Sequence, residues 1–311
     1  MEFMLLLQQI AETLRDKGIK KIGIEAPYGL KKKAVDVARY FRNKGFFTVV
    51  VIDGCYGACD TYDRELKDIV QHVIHLGHKE IKMEREMGYT FIDVDFDFDI
   101  KKLKEEMEKL NYKRLGVFSD VQHVKKLEEI KKIAKLLGFE VKIGKDGYVL
   151  GCDYSAVREI ENEVDAFLFI GTGEFHPVGA SIVSKKPVFA YDTERGKIKR
   201  VNSEKFVRKR YGAMARAGKK VGFIVSMKKG QYVDPEYYIE LGKKRFEIEI
   251  LASFELKEFE LYPFDCDFFV FFGCPRVPIE EGERFKKPVL TPAEFELLIK
   301  GGDYKLFEIE R

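Results

Sequence analysis

A strand-helix-strand phrase occurs three times along this chain, and it constrains the fold more than any other feature. Each copy opens on an apolar run containing a glycine: Ile22-Gly23-Ile24, Leu115-Gly116-Val117-Phe118 and Val221-Gly222-Phe223-Ile224-Val225. Apolar residues at helical spacing follow, as in Ala34, Val35, Val37, Ala38 and Phe41, and again across residues 124–137 and 236–245. A second run closes each phrase at 46–52, 138–143 and 246–250, and a later apolar run follows at 70–76, 166–170 and 268–272. Runs apolar on both faces that alternate with helices predict parallel strands covered on both sides. The three glycines stand 93 and 106 residues apart, the size of one small α/β domain and well above a solenoid repeat. The chain therefore reads as α/β, with three similar domains over residues 1–98, 99–201 and 202–311, each a small mainly parallel sheet flanked by helices. Unrelated βα units share this phrase, so the pattern speaks for architecture rather than for common ancestry.

The surface is dense in both charges, with 55 Lys+Arg against 52 Asp+Glu and a net charge of +3. So small an excess lacks the clustered cations that a dedicated nucleic-acid binder needs, and it favours a protein or small-molecule partner. An apolar fraction of 45% excludes intrinsic disorder. The first residues, Met1-Glu2-Phe3-Met4-Leu5-Leu6-Leu7, put an acid where a secretory signal wants a base, and the longest apolar runs are strand-sized. The expectation is a cytoplasmic protein with no membrane attachment. Five cysteines in 311 residues are too few and too scattered for a disulfide framework and point to reduced thiols.

Three of those cysteines keep step with the repeat. Cys59 lies beyond the run at 46–52, Cys152 follows Leu150-Gly151, and Cys274 follows the run at 268–272 through Gly273. Open parallel sheets bind ligands outside the carboxyl ends of their strands, so one thiol per domain in such loops can meet at a shared centre. Three convergent thiolates suit a cubane iron-sulfur cluster with one iron open to substrate. A free cysteine is more often a small buried hydrophobe, and spacing alone leaves both readings open. Cys55 and Cys59 form a rival Cys-x-x-x-Cys pair suited to zinc, but no further ligand stands at local zinc-site spacing. Cys266 reads as a core residue at a strand start.

Tyr56-Gly57-Ala58-Cys59-Asp60, Leu150-Gly151-Cys152, Gly171-Thr172-Gly173-Glu174-Phe175-His176-Pro177 and Cys274-Pro275-Arg276 together resemble, in order, the signature segments of the diphthamide biosynthesis enzymes, in their archaeal branch. The resemblance runs through nearly the whole chain. It implies three similar domains arranged around a central site, with Cys59, Cys152 and Cys274 holding one 4Fe-4S cluster, and a homodimer. It further implies radical chemistry with S-adenosylmethionine as co-substrate, cleaved between sulfur and its γ-carbon. The 3-amino-3-carboxypropyl group would pass to C2 of a histidine on translation elongation factor 2, with electrons from a separate donor. The Cys-x-x-x-Cys-x-x-Cys loop of common radical S-adenosylmethionine enzymes is absent, because position 62 is Tyr62. This leaves Cys55 a bystander.

The remaining candidates face the cofactor. Gly171 and Gly173 could expose backbone donors to a carboxylate or ribose, although they equally suit a tight strand-to-helix turn. His176 could orient substrate or exchange a proton. In Ser226-Met227-Lys228-Lys229-Gly230-Gln231, Lys229 and Gln231 could meet the substrate carboxylate, although a solvated loop suits them equally, and Arg276 could bind it bidentately. His75 and His78, in His75-Leu76-Gly77-His78, end a first-domain strand, where a role in the cluster pocket stands against a surface or structural one. His72 and His123 have no context that assigns them. The acidic stretch Asp93-Val94-Asp95-Phe96-Asp97-Phe98-Asp99 reads as a solvated strand face or linker. Two other classes remain to be distinguished by product: a quinolinate-synthase-like iron-sulfur hydrolyase, and a non-enzymatic iron-sulfur scaffold or electron-delivery protein.

Overall fold

The computed structural model describes residues 2–309. It contains three sheets. The first comprises β1 (Lys21–Glu25), β2 (Phe47–Val50), β3 (His72–Leu76) and β4 (Gly88–Ile92), all parallel in the order β2-β1-β3-β4. The second comprises β5 (Arg114–Ser119), β6 (Glu140–Lys142), β7 (Ala166–Gly171), β8 (Val188–Asp192) and β9 (Lys197–Arg200) in the order β6-β5-β7-β8-β9. Among the described residues its only antiparallel pair is β8 with β9. The third comprises β10 (Lys220–Ser226), β11 (Glu247–Ser253), β12 (Phe268–Phe272) and β13 (Val289–Leu290), parallel in the order β11-β10-β12-β13. The expected α/β class with three mainly parallel sheets is what the chain forms.

The repeat has a physical basis in register. Gly23 stands opposite Val73, Gly116 opposite Phe167 and Gly222 opposite Phe269, always on the central strand pair. A Cβ on Gly116 or Gly222 would lie 2.5 Å from the ring of that phenylalanine, so the glycine makes room for an aromatic ring on the next strand. Helices cover the sheets with one apolar face. In Lys31–Asn43 the buried residues are Ala34, Val37, Ala38 and Phe41, which pack with Ile22, Ile24 and Ile74 in one core.

By packing, the described residues fall into two compact units, one running through Asp95 with Lys228–Gly230 added, the other Phe96–Met227 with the chain from Gln231 onward. The position read near residue 202 as a boundary therefore lies inside the second unit. The acidic stretch 93–99 has no regular structure, and Asp99 caps the helix Ile100–Met107 by accepting from the Lys101 and Lys102 amides. No helix of the described residues is long and apolar enough to cross a membrane.

Candidate active site

In the first unit the loop after β2 carries Cys55 and Cys59, both buried. The loop folds on its own polar groups. The Tyr56 amide donates to Asp60 Oδ2 at 3.0 Å, the Asp60 amide to the Gly57 carbonyl, and the Tyr62 hydroxyl to the Gly54 carbonyl at 3.0 Å. Asp60 is wholly buried, and its Oδ1 is 2.6 Å from the ammonium of Lys228, itself only 5% exposed at the side chain. That ammonium also lies over the Tyr62 ring. Two residues on, a Cβ at Gly230 would stand 2.4 Å from the Cys59 carbonyl oxygen. Lys228–Gly230 thus braces the Cys59 loop by charge on one side and by backbone contact on the other. Lys229, for which a substrate contact and a solvated loop stood as equal readings, pairs with Glu84 at 2.6 Å on an exposed surface.

In the second unit Cys152 follows β6 in a turn closed by Leu150 and Asp153, and Cys274 directly follows β12. Both are buried, and none of the chain's five cysteines is in a disulfide. Gly151, Phe175 and Arg276 come together here. A Cβ at Gly151 would meet the Phe175 ring at 2.2 Å and Arg276 Cγ at 3.3 Å, and the Arg276 guanidinium lies 5.2 Å over that ring. Glu280 holds the guanidinium plane through Nε and Nη2, each at 2.6 Å. Phe175 therefore joins the loop after β7 to Cys152 and to the segment carrying Cys274.

That loop turns at Gly173, whose φ of +76° favours glycine. Gly171 packs so closely on Asp120 that a Cβ would lie 2.4 Å from Oδ2. Gly171, Thr172 and Gly173, with Asp192, Arg195 and Asn202, line a cavity of about 490 Å³. His176 sits on the first turn of the helix Phe175–Val183, stacked 6.1 Å from Phe169. Desolvation, reinforced by Arg276, holds its imidazole down to about 4, so it is neutral at pH 7. Gln231 is 3% exposed, and its side-chain nitrogen has no hydrogen-bond partner among the described residues.

The structure thus brings Gly171, Gly173, His176, Arg276, Cys152 and Cys274 into one unit, linked through Phe175. The donor chemistry fits an iron-sulfur cluster: Cys59, Cys152 and Cys274 are buried thiols beyond the carboxyl ends of strands, and the orphaned Gln231 amide is a donor awaiting an acceptor. Sequence reasoning missed Lys228 and Asp60. It also left His123 unassigned, although this buried residue's Nδ1 lies 2.6 Å from Asp120, which in turn receives the Thr172 amide. Cys266 is a core residue, its sulfur 3.3 Å from where a Cβ of Gly222 would stand.

Residues 26–306 match the model of the diphthamide synthesis protein family. The 2-(3-amino-3-carboxypropyl)histidine synthase of Pyrococcus horikoshii is 34% identical, over 94% of this chain and 89% of that protein. The enzyme of the same name from Methanocaldococcus jannaschii is 28% identical, over 95% and 89%. The crystal structure of Dph2 from Pyrococcus horikoshii with a 4Fe-4S cluster superimposes with a TM-score of 0.89 at 33% identity, over 97% of this chain and 93% of that one.

Proposed function

This chain belongs to the diphthamide synthesis protein family, and from that premise we infer that it is an iron-sulfur transferase catalysing the first step of diphthamide synthesis. It moves the 3-amino-3-carboxypropyl group of S-adenosylmethionine to C2 of a histidine on translation elongation factor 2. The observation that carries this reading is the set of buried thiols at Cys59, Cys152 and Cys274, in a chain similar along 97% of its length to a protein that holds a 4Fe-4S cluster. These three cysteines are the cluster ligands. When bound, the cluster supplies the electron that breaks the bond between sulfur and the γ-carbon.

The other residues bind and orient. Gly171 and Gly173 keep a stretch of cavity wall free of side chains, which suits close approach of the cofactor to backbone. Arg276, fixed in plane by Glu280 and stacked on Phe175, suits the cofactor's carboxylate, and the Gln231 amide supplies a further donor. His176, neutral at pH 7, can accept or donate a hydrogen bond without adding charge. The family resemblance further supports a cytoplasmic homodimer of archaeal type that uses radical chemistry and a separate electron donor.

The test is anaerobic purification with iron and sulfide analysis, then incubation with reductant, labelled S-adenosylmethionine and elongation factor 2. Methylthioadenosine should form and label should appear on one histidine of the factor. Predominant 5'-deoxyadenosine, or label on RNA or on a small acid without the factor, overturns the assignment.

A further inference from the structure

β3 ends in His75-Leu76-Gly77-His78. Gly77 has φ +85°, with Leu30 packed where a Cβ would stand, so the chain turns back and His78 faces His75. His75 Nε2 lies 2.8 Å from His78 Nδ1. Cys55 reaches the same point from the loop after β2. One donor atom from each of Cys55, His75 and His78 falls in a group whose members all lie within 4.8 Å of one another. Cys59 does not belong to this group.

A zinc ion bonded at about 2.0–2.3 Å sets tetrahedral donor atoms roughly 3.3–3.8 Å apart, so side-chain adjustments alone would fit these three donors to it. Mixed thiolate and imidazole donors are the set zinc prefers. The outer contacts match as well. His75 Nδ1 lies 2.7 Å from Glu25 Oε1, and Glu25 Oε2 accepts from the Tyr62 amide at 3.1 Å. A carboxylate on the far nitrogen of a ligating imidazole fixes its tautomer and turns the other nitrogen to the metal. Both Glu25 and His75 are wholly buried, so this orientation is set by packing. A Cys55 thiolate and a Glu25 carboxylate, both ionised once the metal is bound, offset the divalent cation in a buried place.

We propose that Cys55, His75 and His78 form a zinc site, separate from the iron-sulfur ligands, that staples the Cys59 loop to the end of β3. Loading releases to solvent the thiol proton of Cys55 and any proton on Glu25, and each imidazole keeps one hydrogen, on the nitrogen turned away from the metal. The fourth position is open to water. The site supplies the partners that the sequence alone did not give Cys55.

The test uses the full chain, purified anaerobically with its iron-sulfur cluster assembled, exposed to zinc chloride and then desalted. One zinc per chain should remain with iron unchanged. Its X-ray absorption spectrum should fit one sulfur at about 2.3 Å and nitrogens at about 2.0–2.1 Å. Cys55→Ala and His75→Ala should each lose most of the zinc and keep the iron, and Glu25→Gln should weaken zinc binding about 10–100-fold. No retained zinc in the unsubstituted chain overturns the proposal, as does a spectrum without sulfur, neither of which depends on a variant folding. Zinc retained in full by a folded Cys55→Ala, or iron lost as zinc enters, likewise overturns it.

Discussion

Lys228 puts an ammonium against Asp60, one residue from Cys59, where neither side chain meets appreciable water. Removing one partner of such a pair leaves the other charge buried alone, which costs about 3–5 kcal/mol. Lys228→Met should therefore lower stability by about that much and deplete iron, because the loop bearing Cys59 loses its brace. Pairing Lys228→Met with Asp60→Asn should recover a large part of the stability, since no charge is then stranded. Urea unfolding of the four proteins in this cycle measures the coupling. The sequence had drawn attention to the right segment but to its neighbour Lys229. Adjacent lysines after a strand end look alike in sequence, and only the position of Asp60, far away along the chain, decides which one is buried. His72 carries a second prediction. Burial, with a smaller push from Lys17, holds its imidazole down to about 4, below the ordinary 6.5. The unfolded chain therefore binds a proton that the folded one refuses, so this contribution is complete above pH 6.5 and is lost as pH falls toward 4. The loss amounts to roughly 3 kcal/mol at most. His72→Gln should flatten the slope of unfolding free energy against pH in that window and leave it unchanged above pH 7.

Helix Pro292–Lys300 shows how one residue can serve an element and its surroundings together. Thr291 accepts from the Glu294 amide at 3.2 Å and donates its own amide to Glu294 Oε2 at 2.8 Å, a reciprocal cap on the first turn. The same carboxylate grips the buried Arg210 guanidinium through two bonds of 2.7 Å, and Arg210 also reaches the carbonyls of Pro278 and Val289. Thr291→Ala removes only the cap and should cost about 1 kcal/mol. Glu294→Gln removes the charge facing a buried guanidinium and should cost about 3–5 kcal/mol. Thermal unfolding should rank them in that order; equal losses would mean that the ion pair contributes nothing beyond the cap. Most elements were legible because their apolar spacing is strong, and β12, expected at 268–272, is Phe268–Phe272. β9 was not legible. Lys197-Ile198-Lys199-Arg200 has a single apolar residue, and it becomes a strand only because β8 offers it an edge.

Across the whole chain the repeat was readable because a glycine stands on the central strand pair of each sheet, making room for a ring at Gly116 and Gly222 and for Leu66, Val70 and Val73 at Gly23, which ties sequence period to sheet register. The cysteine spacing was less regular, 93 and then 122 residues, and the sheets explain the difference. Cys59 and Cys152 follow the second strand of their sheets, β2 and β6, whereas Cys274 follows the third, β12. Neither Glu25 nor Cys55 could be joined to His75 from sequence, because a parallel sheet puts tens of residues between neighbours. The five thiols then divide by what surrounds them, and their replacement by alanine separates the roles. Cys59→Ala, Cys152→Ala and Cys274→Ala should each lose most iron and sulfide, because the proposed set of three ligands leaves none to spare on a cubane. Cys266→Ala only trims the core behind Gly222 and should cost about 1 kcal/mol with full iron. Cys55→Ala should keep iron as well, since its sulfur lies among imidazoles rather than with Cys59. Metal analysis beside unfolding curves tests the whole series at once. Should Cys55→Ala lose iron while Cys152→Ala retains it, the ligand set would have to be rebuilt around the loop after β2 alone.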